Sequence, residues 1–216
     1  MRRRSGTSVA YRIGSLTRLR IWTRTAEDGI IRHMEVIATA IPDVKIVVPV
    51  IHRDERGYFA ETYNEERYVN AGITAKFVQD NESCSSRGVL RGLHWQAGEH
   101  SQAKLVRVIR GAVWDVAVDI RRGSPTFGKS VSCELTAENG RQFFIPRGFA
   151  HGFVVLEDNT LFSYKCDNLY CKESERGLKF DDPALGIKWP WPGRDYLLSE
   201  KDKLHPGLDE IEPWVG

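Results

Sequence analysis

No stretch of the 216-residue chain approaches the run of about 20 apolar residues that a membrane helix needs, so a helical membrane span is excluded. The four cysteines, at 84, 133, 166 and 171, form no C-x-x-C pair. That argues against a zinc knuckle or a thioredoxin-type redox site and leaves free thiols in a reducing cytoplasm as the expectation. There is no internal repeat and no low-complexity tract. A broad basic surface is also missing. The net charge is +2, but residues 1–33 hold eight arginines against only Glu27 and Asp28 and so carry +6. The remainder carries −4, which speaks against nucleic acid as a partner. What is present is an ordinary globular balance, 41% hydrophobic and 28% charged, in a chain long enough for one domain with a sizeable core.

The arginine-rich opening, M1-R-R-R-S-G-T-S-V-A10 and its continuation, has the composition of a transit peptide or a basic arm. No apolar segment follows to make it a secretory signal. Met34 begins a segment, M34-E-V-I-A-T-A-I-P-D43, that reads as a natural protein start. Residues 1–33 are therefore expected to be non-native or a misassigned start, with a transit peptide as the second reading. Either way they should be poorly ordered and outside the domain formed by 34–216.

From residue 44 onward, short β-rich runs alternate with Gly, Pro, Asn and Asp. The runs are 44–50, 58–63, 76–80, 89–96, 104–109, 112–120, 129–135, 142–145, 152–156 and 160–166. This spacing predicts an all-β sandwich or barrel. Within 113–120, Trp114, Val116, Val118 and Ile120 share one face, and Asp115, Ala117 and Asp119 the other. One helix is expected over 64–72, with Asn64 as its N-cap and Gly72 ending it. The Pro-, Trp- and Gly-rich tail after Asp181 should pack irregularly, with short helical turns.

Two motifs carry chemistry. In R91-G-L-H-W-Q96, strand alternation sends His94 and Gln96 to one face and Leu93 and Trp95 to the other, with Arg91 at the entry and Lys104 following. An imidazole that titrates near neutrality moves protons, and the cations beside it suit an anionic substrate. By itself His94 would read as a satisfied core histidine, Tyr164 as a core tyrosine, Lys104 as a strand-end charge and Asp202 as a solvated surface acid. The second motif, G140-R-Q-F-F-I-P-R-G-F-A-H151, resembles the second motif of the cupin superfamily, a small jelly-roll barrel, although that motif ends in Asn where this chain has Val155. Many cupins bind a metal through an H-x-H pair, a Glu and the second-motif His. Here the pair reads H94-W-Q96, and a set of His94, Glu99 and His151 would lie near the ammonium of Lys104, which repels a cation. No metal is the expectation.

Over almost all of 34–216 the chain resembles the dTDP-4-dehydrorhamnose 3,5-epimerases. The blocks that carry this are I41-P-D-V44, D54-E-R-G-Y-F59, F77-V-Q-D-N81, V89-L-R-G-L-H94, A103-K-L-V-R107, D115-V-A-V-D-I-R121, S124-P-T-F-G128, I145-P-R-G-F-A-H-G152, Y164-K165 and L198-S-E-K-D202. The resemblance implies a metal-free, cofactor-free cupin with a few short helices, a cytoplasmic homodimer. It would act on a dTDP-linked 4-keto-6-deoxyhexose, in the biosynthesis of activated L-rhamnose. It makes His94 the base, Asp202 its supporting carboxylate, Tyr164 the opposing acid and Lys104 the stabiliser of the oxyanion. Arg56 and Arg91 would hold the nucleotide phosphates. Glu61, Gln79, Asn81, His151, Tyr170 and Glu175 match further pocket positions, with Tyr170 placed to stack on thymine. The chain departs from the family pattern at I51-H-R-D54, where an aromatic residue is usual; this bears on base stacking there and not on proton chemistry. A mono-epimerase on a related nucleotide-linked ketosugar, a metal-dependent cupin enzyme and a non-catalytic sugar-nucleotide binding module are the alternatives.

Overall fold

The computed structural model describes residues 8–13, 16–22, 33–191 and 195–215. Fifteen strands and one α-helix are formed among them. The strands are β1 (Ser8–Ile13), β2 (Leu16–Trp22), β3 (His33–Ala38), β4 (Lys45–Val48), β5 (Ile51–Asp54), β6 (Gly57–Ala60), β7 (Gln79–Ser85) and β8 (Leu90–Gln96). They continue as β9 (Lys104–Arg110), β10 (Ala112–Asp119), β11 (Ser130–Thr136), β12 (Gln142–Ile145), β13 (Phe149–Val155), β14 (Thr160–Cys166) and β15 (Glu175–Gly177). The helix α1 spans Glu65–Asn70, and Asn64 caps it, its side chain accepting from the Arg67 backbone N–H.

Two sheets make the barrel, and every strand pair in them is antiparallel. One runs β1-β2-β3-β4-β12-β9-β14-β7 and the other β11-β10-β13-β8-β15. Strands β5 and β6 form a separate hairpin. The chain is thus the all-β jelly roll that its strand spacing and cupin-like motif predict. Part of the basic opening stretch, β1 and β2, runs as a hairpin paired in register onto β3. The rest of 1–32 lies outside the described residues.

Alternation along the strands builds the layers. Val106, Val108, Phe143, Ile145 and Phe162 from the first sheet meet Val113, Ala117, Leu135, Phe153 and Val155 from the second in the central core. The opposite face of the second sheet buries Leu93, Trp95, Val116, Val118 and Ile120 beneath the tail, where Leu185 and Ile211 cover them. The face split read from 113–120 is therefore the one that forms. Below the first sheet, Tyr68 of α1 is buried; its hydroxyl donates to Gln142 Oε1 at 2.6 Å and lies 3.0 Å from the Thr62 carbonyl oxygen.

One close approach positions the chemistry. β8 and β13 pair with His151 opposite His94, and the register shifts beside them. A Cβ on Gly92 would lie 2.5 Å from Gly152 Cα, and one on Gly152 would lie 2.8 Å from the Arg91 carbonyl oxygen. Gly92 also adopts φ +131°, which L side chains rarely reach. Both glycines are required for the two histidine-bearing strands to come this near.

Candidate active site

Between the sheets, at the end where β8 and β15 face β9 and β14, lies a cavity of about 690 Å³. His94, Arg91, His151 and Glu175 line one wall, and Lys104, Phe162 and Tyr164 the other. The tail segment 197–202 closes the rim and contributes Lys201 and Asp202. Alternation explains the second wall: Thr160, Phe162, Tyr164 and Cys166 share one face of β14, and Phe162 seats that face in the core.

His94 Nε2 lies 2.7 Å from Asp202 Oδ1. The carboxylate only accepts, so Nε2 carries the hydrogen and Nδ1 keeps the lone pair. Asp202 sits in a 3-10 turn, Asp202–Leu204, with its side chain only 4% exposed. Burial by itself would raise its carboxyl; the hydrogen bond and charge of His94 outweigh that, with help from His205, and hold it below the usual carboxylate range. Burial lowers the Lys104 ammonium from its ordinary value, against the pull of Cys166, Asp115 and Glu175. Burial also raises the Tyr164 phenol, which favours its protonated form.

A second buried pair stands behind the first. His151 Nε2 is 2.9 Å from Asp115 Oδ1, and Asp115 Oδ2 has no partner. Burial pushes both groups toward their uncharged forms, and each partner opposes that for the other. The rim is a connected chain of hydrogen bonds. Gln79 Nε2 donates to Asn81 Oδ1, the Tyr170 backbone N–H donates to Gln79 Oε1, and Tyr170 Oη donates to Glu175 Oε2 at 3.0 Å. Lys201 Nζ reaches the other oxygen of Glu175 at 2.5 Å. Arg91 donates through Nε and Nη2 to Ser85 Oγ, at 3.3 and 3.1 Å.

The residues expected from the sequence thus fall into two groups. His94, Lys104, Tyr164, Asp202, Arg91, His151 and Glu175 converge on the cavity, with Gln79, Asn81 and Tyr170 beside it. Arg56 and Glu61 do not reach it. Arg56 is exposed at the tip of the β5–β6 hairpin and pairs with Asp54, while Glu61 pairs with Arg67 of α1. The alternative metal set is not assembled, because Glu99 is 91% exposed on a 3-10 turn and takes no part in the cavity wall. Among the described residues His94, Asp202 and His205 hold ligand atoms within 4.8 Å of one another. Lys104, Arg91 and Lys201 line the same cavity and disfavour a cation there.

A family model described as dTDP-4-dehydrorhamnose 3,5-epimerase matches residues 38–210. The chain belongs to the dTDP-4-dehydrorhamnose 3,5-epimerase family. The enzyme of that name from Methanothermobacter thermautotrophicus is 51% identical over 175 residues, 81% of this chain and 94% of its own. The Salmonella typhimurium enzyme is 52% identical over 82% of this chain and 97% of its own. A solved dTDP-6-deoxy-D-glucose-3,5-epimerase from Legionella pneumophila, in complex with dTDP-4-keto-L-rhamnose, superposes with a TM-score of 0.81 at 50% identity, covering 85% of this chain and all of that one.

Within this epimerase family member, one residue of the cavity wall, Lys201, and two behind it, Asp115 and His205, escape sequence reasoning. Lys201 is part of the L198-S-E-K-D202 block but looks like a solvated lysine. Asp115 shares its strand face with Ala117, so its inward direction is legible and its partner His151 is not. His205 carries no signal in a Pro-rich tail.

Proposed function

We propose that the protein converts dTDP-4-dehydro-6-deoxy-D-glucose into dTDP-4-dehydro-L-rhamnose by inverting C3 and C5 of the hexose. Both carbons flank the C4 ketone, so their hydrogens are acidic and one enolate site serves both. The observation that carries the reading is the pairing of walls: His94 with its buried carboxylate stands on one sheet, and Tyr164 with Lys104 on the sheet that faces it.

His94 Nδ1 takes the C–H proton. The imidazolium that forms is stabilised by Asp202, as a buried carboxylate does in other histidine-based sites. Negative charge moves to the C4 oxygen, where the Lys104 ammonium stabilises it. Tyr164 then delivers its proton to the carbon from the opposite side, leaving a phenolate. Exchange with solvent returns a proton to Tyr164 and removes one from His94, and a second round inverts the other carbon. Arg91 and the rim of Gln79, Asn81, Tyr170 and Glu175 hold the nucleotide end, a guanidinium suiting the diphosphate and Tyr170 offering a face for thymine.

Two further parts belong to this proposal. The working unit is a homodimer, in which the β5–β6 hairpin and the segment that leads from it to α1 bring Arg56 and Glu61 to the neighbour's cavity. Their distance from their own cavity, and the exposure of Tyr58 and Phe59 on the same hairpin, support this. The compartment is the reducing cytoplasm, which the four free thiols support.

Product analysis tests the reaction directly. Proton NMR of substrate incubated with the protein is expected to show a sugar inverted at both carbons. Inversion at one carbon would make the protein a mono-epimerase. A bound but unchanged sugar would make it a binding module.

A further inference from the structure

We infer that His205 is a positioning residue for the proton transfer, holding the Asp202 carboxylate and the His94 ring in one fixed arrangement. It follows Asp202 by three residues and closes the same 3-10 turn. Its Nε2 stands 3.8 Å from Asp202 Oδ1, the same oxygen that His94 engages at 2.7 Å. The two imidazoles meet edge to face, with centroids 5.3 Å apart and planes at 88°. One carboxylate oxygen is therefore bracketed by two histidines, one facing the cavity and one facing the protein.

The backbone is shaped to hold the second ring. Gly177 pairs with His94 across β15 and β8. A Cβ at Gly177 would land on the His205 ring, so only glycine leaves the room that the ring occupies. His205 is only 9% exposed, and its Nδ1 is buried with no partner. An orphaned buried nitrogen is destabilising, and a ring without nitrogens would fill the same space at no such cost. What an apolar ring lacks is a polar nitrogen beside Asp202, where Nε2 now stands 3.8 Å from Oδ1.

The groups facing His205 are His94 from β8, Glu175 from β15, and Lys201 and Asp202 from its own turn. Burial lowers its pKa, as does the charge that His94 acquires, against the pull of Asp202. A neutral His205 leaves the negative charge of Asp202 committed to the imidazolium that forms on His94. The neutral ring still steadies the carboxylate and keeps water from it.

This inference rests on the epimerase reading, and the two fail differently. Absence of turnover by the parent protein would sink the reaction itself. The test of His205 is made against an active parent. His205→Phe keeps a ring on Gly177 and removes both nitrogens. We expect a melting temperature at or above the parent's, KM within about twofold, and kcat lower by about tenfold. The acid limb of kcat/KM should move to higher pH, because the imidazole that helps to hold the Asp202 carboxyl down is gone. His205→Gln, which keeps an N–H within reach of Asp202, should recover most of kcat. Parental kcat with a parental pH profile in His205→Phe would overturn the inference, as would a raised KM with kcat intact. Should the Phe variant not fold, His205→Leu poses the same question with the same outcomes.

Discussion

In the proposed reaction His94 serves as the base, and the Asp202 carboxylate 2.7 Å from its Nε2 is what fixes that nitrogen as the one bearing hydrogen, leaving Nδ1 for the substrate proton. Asp202→Asn replaces that acceptor with an amide that no longer stabilises the imidazolium. We expect kcat to fall by at least about 100-fold, with KM little changed, because the amide is nearly isosteric with the carboxylate. Steady-state kinetics check this, and equal loss in kcat and affinity would contradict it. The residue scale is also where the sequence says least. Strand alternation gives His94 and Tyr164 their faces, but each by itself reads as a core residue, and the matching family blocks are what single them out. Asp202 gives less: an acid in S-E-K-D looks solvated until the fold buries it beneath His94, and only family resemblance promotes it. His205 depends on a glycine 28 positions earlier in the chain, a relation that no local pattern encodes.

Among the elements, β10 is the most legible, because a strand in mid-sheet with different neighbours on its two faces must alternate. Its end is fixed by Asp119, whose carboxylate accepts from Arg121, Ser124 and Thr126. Burial alone would raise this carboxyl; the three sets of hydrogen bonds prevail and bring it down to about 2, against 3.8 as its ordinary value. A depressed pKa contributes stability that is present above the unfolded value and lost as pH falls through the folded one. About 2 kcal/mol should therefore disappear between roughly pH 4 and pH 2. The difference in urea-unfolding free energy between the parent and Asp119→Asn should shrink over that window; a constant difference would contradict the assignment. Other elements are harder to read for identifiable reasons. The sequence places a strand at 76–80, whereas β7 runs from Gln79 to Ser85. It is a polar edge strand paired only with β14, so nothing forces apolar alternation upon it. β15 is three residues long and owes its existence to pairing with β8. The helix end, by contrast, is where the sequence puts it: Ala71 takes the C-cap and Gly72 follows at φ +73°, the left-handed position at which glycine ends a helix. The strands at 142–145 and 160–166 agree with the sequence reading at both ends.

At the scale of the whole molecule, the barrel is legible from strand spacing, while the meeting of its two walls in one cavity is not, because it depends on long-range pairing. The placement of Arg56 and Glu61 away from that cavity has a consequence for assembly. If the hairpin serves a neighbouring copy, His94→Asn and Arg56→Ala variants, each nearly inactive alone, should complement when co-expressed. Random dimers would restore about a quarter of parental activity. Activity no greater than the mean of the two separate variants would place the whole site in one chain. The central claim, that an imidazole and a phenol on facing sheets exchange protons with a ketosugar, is tested most directly by incubating protein and substrate in deuterium oxide and reading deuterium at each carbon by NMR. The account predicts label at both C3 and C5 with the parent protein and at neither with His94→Asn. Inverted product without deuterium, or full labelling by the His94→Asn variant, would contradict it.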